Sequence, residues 1–208
     1  MADDGPPATA RTAHELALPD RPIDVVALGA SAGGVEALQA VVGGLPASFP
    51  AAVLIVLHVA QAGTSVLADI LDRAGPLPVA NALDGEHLRR GRAYVAPPNH
   101  HMVLSRDTIE LNNGPRENGH RPAIDPLLRS AAEAFGARAA GVILSGTLDD
   151  GTAGLRTLAL RGGTTLAQDP ETALHPGMPR SAAQHAPVAA ILPLAQIAPA
   201  LVRLARSG

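Results

Sequence analysis

The sequence predicts an α/β fold, a doubly wound and mostly parallel sheet flanked by helices, with an inserted antiparallel hairpin. Two observations carry that expectation. Three short runs of almost unbroken apolar character, Ile23 to Leu28, Ala52 to Leu57 and Gly141 to Gly146, have the length and composition of central strands covered on both faces. Between them lie stretches with helical apolar spacing, so strand and helix alternate in the order that builds right-handed β-α-β crossovers. The architecture is Rossmann-like, and in such sheets the strand C-termini share one edge, where ligand crevices form.

The elements follow in order. Val35, Leu38, Val41 and Val42 form a helical stripe after the first strand, and Val66, Leu67, Ile70 and Leu71 form another after the second, both read as core. Met102 to Leu104 and Thr108 to Leu111 flank Arg106-Asp107, the pattern of a hairpin set between parallel units. Asp125 as cap with Pro126 in the first turn opens a helix through Leu127, Leu128, Ala131 and Phe135. Thr164 to Ala167 and Val188 to Leu192 read as further strands, and Leu194 to Leu204 as a closing helix interrupted or restarted at Pro199.

Composition bounds the function. The chain has 208 residues, 47% of them apolar, enough for one sizeable core from residue 23 to residue 208. Residues 1–22, with Pro6-Pro7 and acidic Asp3, Asp4, Glu15 and Asp20, read as a disordered tail. Cysteine is absent, which removes disulfides, thiolate catalysis and cysteine zinc sites, and lysine is absent, which removes Schiff-base chemistry. A net charge of −3 with no tryptophan and few aromatic rings argues against nucleic-acid binding. No apolar stretch is long enough to span a bilayer and no leader opens the chain, so a cytoplasmic location without membrane insertion is expected. His100 and His101 are adjacent and no histidine pair has the i, i+4 spacing of zinc hydrolases, so neither a metal nor another cofactor is expected.

Gly29-Ala30-Ser31-Ala32-Gly33-Gly34 places a serine where a buried strand turns into a helix. Small neighbours allow a tight bend that lifts the hydroxyl clear of the sheet, beside the unpaired N–H groups of a helix N-terminus. A serine hydroxyl is a poor nucleophile near neutral pH and needs an imidazole to take its proton and a carboxylate to orient that imidazole. His58 ends the second apolar run and Asp149-Asp150 follow the third, so all three groups fall on one sheet edge. Each has a plainer reading: Ser31 as a helix cap, His58 as a satisfied strand-end histidine, Asp150 as cap of the helix beginning near Thr152. The glycine-rich turn could also cradle a phosphate, making the chain a nucleotide- or phosphate-binding module in signalling. Against that, G-x-G-x-x-G is lacking and His58 stands where an acidic ribose ligand is common.

From about Ile23 to Leu204 the chain resembles the catalytic domain of the CheB-type chemotaxis methylesterases. The resemblance is carried by Gly29-Ala30-Ser31 with Gly33-Gly34, His58, Tyr94-Val95-Ala96-Pro97-Pro98 with His101-Met102, Arg121-Pro122 with Asp125, Gly146 with Asp150-Gly151, and Gly177-Met178-Pro179-Arg180. It implies Ser31 as nucleophile, His58 as general base and Asp150, rather than Asp149, as the orienting acid. Backbone N–H groups of Ala32 and Thr147 would form the oxyanion hole, with Arg121, Met178 and Arg180 near the substrate. The implied reaction is hydrolysis of glutamyl γ-methyl esters on chemoreceptors through an acyl-enzyme, releasing methanol, with glutamine deamidation as a second activity; a catalytically inactive relative is the alternative.

The chain departs from the family pattern at several places. Thr147-Leu148-Asp149 stand where Met-Gly-Asn is common, Ala32 replaces a threonine, and Val59-Ala60 replace Met-Pro. Many family members carry a phosphorylatable receiver domain first, which 22 residues cannot form. Either the domain is free-standing, a separate receiver protein regulates it, or the chain is a piece of a longer protein.

Overall fold

The computed structural model describes residues 16–58 and 66–207. Residues 1–15 of the expected tail and the Val59-Ala60 departure lie outside the described residues. Leu16, within the segment read as tail, is buried in the core.

Among the described residues nine strands and six α-helices follow in the order β1 (Val25–Ala30), α1 (Gly34–Gly43), β2 (Ala52–Leu57), α2 (Leu67–Asp72), β3 (Val79–Asn81), β4 (Arg92–Val95), β5 (His101–Ser105), β6 (Thr108–Asn112), α3 (Ile124–Phe135), β7 (Ala139–Ile143), α4 (Thr152–Leu160), β8 (Thr164–Gln168), α5 (Gly177–His185), β9 (Ala190–Leu192) and α6 (Leu194–Arg206), strand and helix alternating except from β3 to β6. Seven strands form one sheet in the order β3-β4-β2-β1-β7-β8-β9, with every pairing parallel. β5 and β6 pair with each other, antiparallel, with Arg106-Asp107 at the turn.

β1 shows why the sheet needs cover on both sides. Val26, Leu28 and Ala30 join a core with Leu38, Val41 and Leu71 from α1 and α2 and Leu201 from α6. Val25 and Ala27 point the other way, into a second core with Leu127, Leu128, Leu155 and Met178 from α3, α4 and α5 and with the hairpin residues Met102 and Ile109. Period-two alternation thus feeds two apolar layers, the physical meaning of doubly wound.

Four expectations need correction. β3 and β4 were not expected, since β3 is three residues long and β4 opens on an arginine, leaving no apolar run to read. Val66 lies outside the core stripe; it precedes α2 and is 60% exposed. α6 runs unbroken through Pro199. Proline costs a helix one hydrogen bond, but Pro199 faces solvent while Ile197, Ala198, Ala200, Leu201 and Leu204 are buried and hold the helix to the sheet. Lastly, α3 begins at Ile124 with Ala123 at its cap position, so Asp125 does not cap its own helix.

Candidate active site

β1 lies at the topological switch point, with β2 on one side and β7 on the other, where a parallel sheet opens its crevice. The hydrogen-bond ladder continues past the strand ends and fixes the turn that carries the serine. The Ser31 N–H donates to the Ser145 carbonyl at 2.9 Å, and the His58 N–H donates to the Ala30 carbonyl at 3.1 Å. Ser145 adds a second tie, its hydroxyl donating to the Ala32 carbonyl at 2.8 Å. The chain then swings into α1 through Gly33, whose φ of 66° is open to glycine at little cost. Gly33 is the cap residue of α1 and no side chain bonds the helix end, so Ser31 is not a helix cap.

The three candidate groups meet. His58 Nδ1 lies 3.2 Å from Ser31 Oγ, and His58 Nε2 lies 2.7 Å from Asp150 Oδ2, with the imidazole and carboxylate side chains 5% and 2% exposed. A neutral imidazole donating from Nε2 to the carboxylate leaves Nδ1 free to accept the serine proton. The two nitrogens are used in the reverse order of the usual serine–histidine–aspartate arrangement, but the proton path is the same. Asp149, by contrast, is exposed, and its carbonyl accepts the Thr152 N–H, so Asp150 alone of the pair reaches His58.

The plainer reading of Asp150, a cap for the helix that follows it, does not hold; its carboxylate caps α3 instead. Its carboxylate accepts the N–H groups of Ile124 at 2.7 Å and Asp125 at 3.2 Å, while Asp125 accepts the Gly154 N–H of α4 at 2.6 Å. Each aspartate therefore satisfies orphan donors at the start of the other's helix. The Asn118 amide donates to both carboxylates, at 2.8 Å to Asp150 and 2.9 Å to Asp125. Burial pushes the Asp150 carboxyl up, but hydrogen bonds from His58, Ile124 and Asn118 outweigh it and hold the group below the ordinary aspartate value. Asp125 goes the other way, raised by burial and by the neighbouring Asp150 charge.

The remaining expected residues divide. Met178 is buried beside the turn, its N–H bonded to the Gly146 carbonyl. A β-carbon added at Gly146 would stand 2.2 Å from Met178 Sδ and 2.9 Å from Ser31 Cβ, so a glycine there leaves room for the serine. Ala32 is half-buried in the serine turn, and Thr147 is exposed on the loop after β7. Arg180 is exposed on α5. Arg121, expected near the substrate, binds neutral oxygens, the Asn99 side chain and the carbonyls of Asn113 and Gly114. His101 is a satisfied buried histidine, with Nε2 2.9 Å from the Pro115 carbonyl and Nδ1 accepting the Ala123 N–H.

Leu148, which stands where the family pattern has glycine, has a φ of 64° and is 71% exposed. A leucine in the left-handed region is disfavoured by roughly 1–2 kcal/mol. Leu148→Gly is therefore expected to stabilise the fold by about 0.5–1 kcal/mol, after the extra chain entropy of glycine is subtracted. Thermal unfolding of the two forms measures it; an unchanged or lower midpoint would show that the leucine earns its place through packing.

Two neighbours escaped sequence reasoning. His120 stacks on His58, ring centroids 3.6 Å apart and planes 6° from parallel, and Asn118 makes the double bridge just described. Both sit on a tight turn in which Glu117 and His120 exchange backbone hydrogen bonds and Asn118 and Gly119 have φ of 52° and 80°. Asn-Gly with two positive φ values is the strongest short-range hairpin signal a sequence carries, and Asn118-Gly119 could have been read that way.

A parallel α/β domain with a serine, a histidine and an aspartate hydrogen-bonded in series at its switch point has the build of a serine hydrolase. The CheB methylesterase family matches residues 26–201, and the chain belongs to that family. It is 42% identical over 184 residues to protein-glutamate methylesterase/protein-glutamine glutaminase 2 of Anaeromyxobacter dehalogenans, covering 88% of this chain and 54% of that protein. It is also 42% identical over 185 residues to the protein of the same name from Pseudomonas aeruginosa, covering 87% of this chain and 53% of the relative. The chain thus spans about half the length of these curated relatives. The crystal structure of the Thermotoga maritima CheB methylesterase catalytic domain superposes with a TM-score of 0.82 at 34% identity, over 88% of this chain and 100% of that one. Among the described residues, no helix is long and apolar enough to cross a membrane.

Proposed function

We propose that the chain hydrolyses glutamyl γ-methyl esters on chemoreceptors in the cytoplasm, with Ser31 as nucleophile, His58 as base and Asp150 as orienting acid. The observation that carries the reading is the continuous hydrogen-bond path from Ser31 Oγ through His58 to Asp150. As Ser31 Oγ bonds to the ester carbon, its proton passes to His58 Nδ1 and the carbonyl oxygen becomes an oxyanion. Collapse breaks the bond to the methoxy oxygen, which leaves as methanol with the proton from His58. Water, deprotonated by His58, then attacks the acyl-serine and frees glutamate. A glutamine side chain passes through the same geometry with ammonia leaving, which fits the second half of the relatives' name.

The oxyanion needs N–H donors that are not already engaged. Ser31, Gly34 and Gly146 all give theirs to backbone carbonyls, whereas Ala32 and Thr147, the donors the family resemblance implies, keep theirs for the substrate. The engagement of the Ser31 and Gly34 N–H groups also leaves little of the turn to cradle a phosphate. Labelling by a serine-directed phosphonate tests the reading. Ser31 is expected to be modified in the native chain and unmodified in His58→Ala, and equal labelling of both would remove His58 as the base.

A further inference from the structure

We propose that His120 is a positioning residue for His58, a second imidazole whose stacked ring holds the base in the plane that joins Ser31 to Asp150. This rests on the serine hydrolase reading for its kinetic consequence, but the clamp itself is a property of the fold. His58 is gripped unequally: its bond to Asp150 is short at 2.7 Å, whereas the Ser31 contact is 3.2 Å and gives little hold against tilting of the ring. Face-to-face contact at 3.6 Å and 6° supplies the missing restraint and covers that face of His58.

The turn that carries His120 is itself anchored. One guanidinium nitrogen of Arg129, on α3, binds both Glu117 carboxylate oxygens, at 2.8 and 2.7 Å. Asn118 ties the next residue to Asp125 and Asp150, and Arg116 donates to the Gly119 carbonyl at 3.3 Å. The stack is thus delivered by a braced hairpin tip, and its partner network is the same one that holds the acid.

The clamp works only while His120 is neutral. When His58 takes the serine proton, a neutral ring beneath the imidazolium offers it a π face, whereas a charged one would repel it. The groups facing His120 are His58, Asp150 and Arg116. Burial, first, then His58 and Arg116 hold His120 below the ordinary histidine value, against an opposing pull from Asp150. A group lowered in this way stays neutral at and above the ordinary value and charges only in more acid solution.

Two substitutions separate stacking from mere occupancy. His120→Ala removes the ring, and His120→Phe keeps a flat ring that cannot titrate. Taking misplacement of a catalytic group as the guide, kcat for a methyl-esterified peptide is expected to fall about 10-fold or more in His120→Ala with KM within about twofold. His120→Phe is expected to recover most of that kcat and to lose the steepness that a second titrating imidazole gives the acid limb of the pH profile. Independently of turnover, the downfield NMR resonance of the His58–Asp150 proton is expected to be sharp in native protein and His120→Phe and broadened in His120→Ala. If the alanine variant does not fold, the phenylalanine variant alone decides, through its resonance and its acid limb. Unchanged kcat and resonance in His120→Ala would overturn the proposal, as would a His120→Phe protein as impaired as the alanine variant. Native protein that shows the expected resonance pattern yet releases no methanol would instead overturn the esterase reading and leave the clamp standing.

Discussion

Ser31→Ala is expected to cut methanol release from a glutamyl methyl ester by roughly 10⁴- to 10⁶-fold, the scale on which removal of a triad nucleophile acts. The substitution removes one oxygen from a half-buried turn whose backbone is pinned by Ser145 rather than by the Ser31 hydroxyl, so the fold and the rest of the cleft are expected to survive intact. What remains is the binding of the ester and the oxyanion donors, which explains why the loss is not complete. Methanol release measured on equal amounts of folded protein gives the ratio. A variant with turnover near that of the native chain would rule out covalent catalysis at this position.

Asp150→Asn is expected to combine two losses that Ser31→Ala keeps apart. The amide can donate to His58 and so favour the wrong tautomer, with a fall in kcat of roughly 10⁴-fold on the precedent of triad aspartates. It also replaces a carboxylate that accepts Ile124 N–H, Asp125 N–H and the Asn118 amide, in a position 2% exposed. Leaving one of these donors unsatisfied costs about 1–3 kcal/mol. Turnover and thermal unfolding of the same preparation read both effects, and a variant as stable as the native chain would show that the crossed caps contribute nothing.

The pH dependence of that stability has a definite sign. The lowered value of Asp150 means that the unfolded chain binds this proton more readily, so its contribution is complete above the ordinary aspartate value and is lost as pH falls through the folded one. Asp125, raised, acts oppositely: its ionisation costs stability at neutral pH, and acidification through its raised value relieves that cost before Asp150 begins to protonate.

Most of this arrangement was legible in the sequence because it depends on runs and strand ends. Ser31 and His58 directly follow β1 and β2, Asp150 stands on the loop after β7, and parallel pairing then forces all three onto one edge. What escaped depends on cross-chain geometry. Asp125 before a proline looks like a local cap, and nothing within its own segment says that its partner is Gly154 on another helix. His120 lies in a polar stretch without periodicity, and its place over His58 comes from a two-residue turn and the Arg129–Glu117 pair. β3 and β4 were missed for the simpler reason that strands of three and four residues carry too little apolar pattern to stand out.

The reciprocal tethering of α3 and α4 ties architecture to chemistry at a single side chain. A descendant of this domain that abandoned catalysis could shed Ser31 without strain, but would still be under pressure to keep Asp150, because two helices begin on the carboxylates that Asn118 joins. An aspartate at that place is therefore expected to persist as a mark of the scaffold, whether or not the chemistry does.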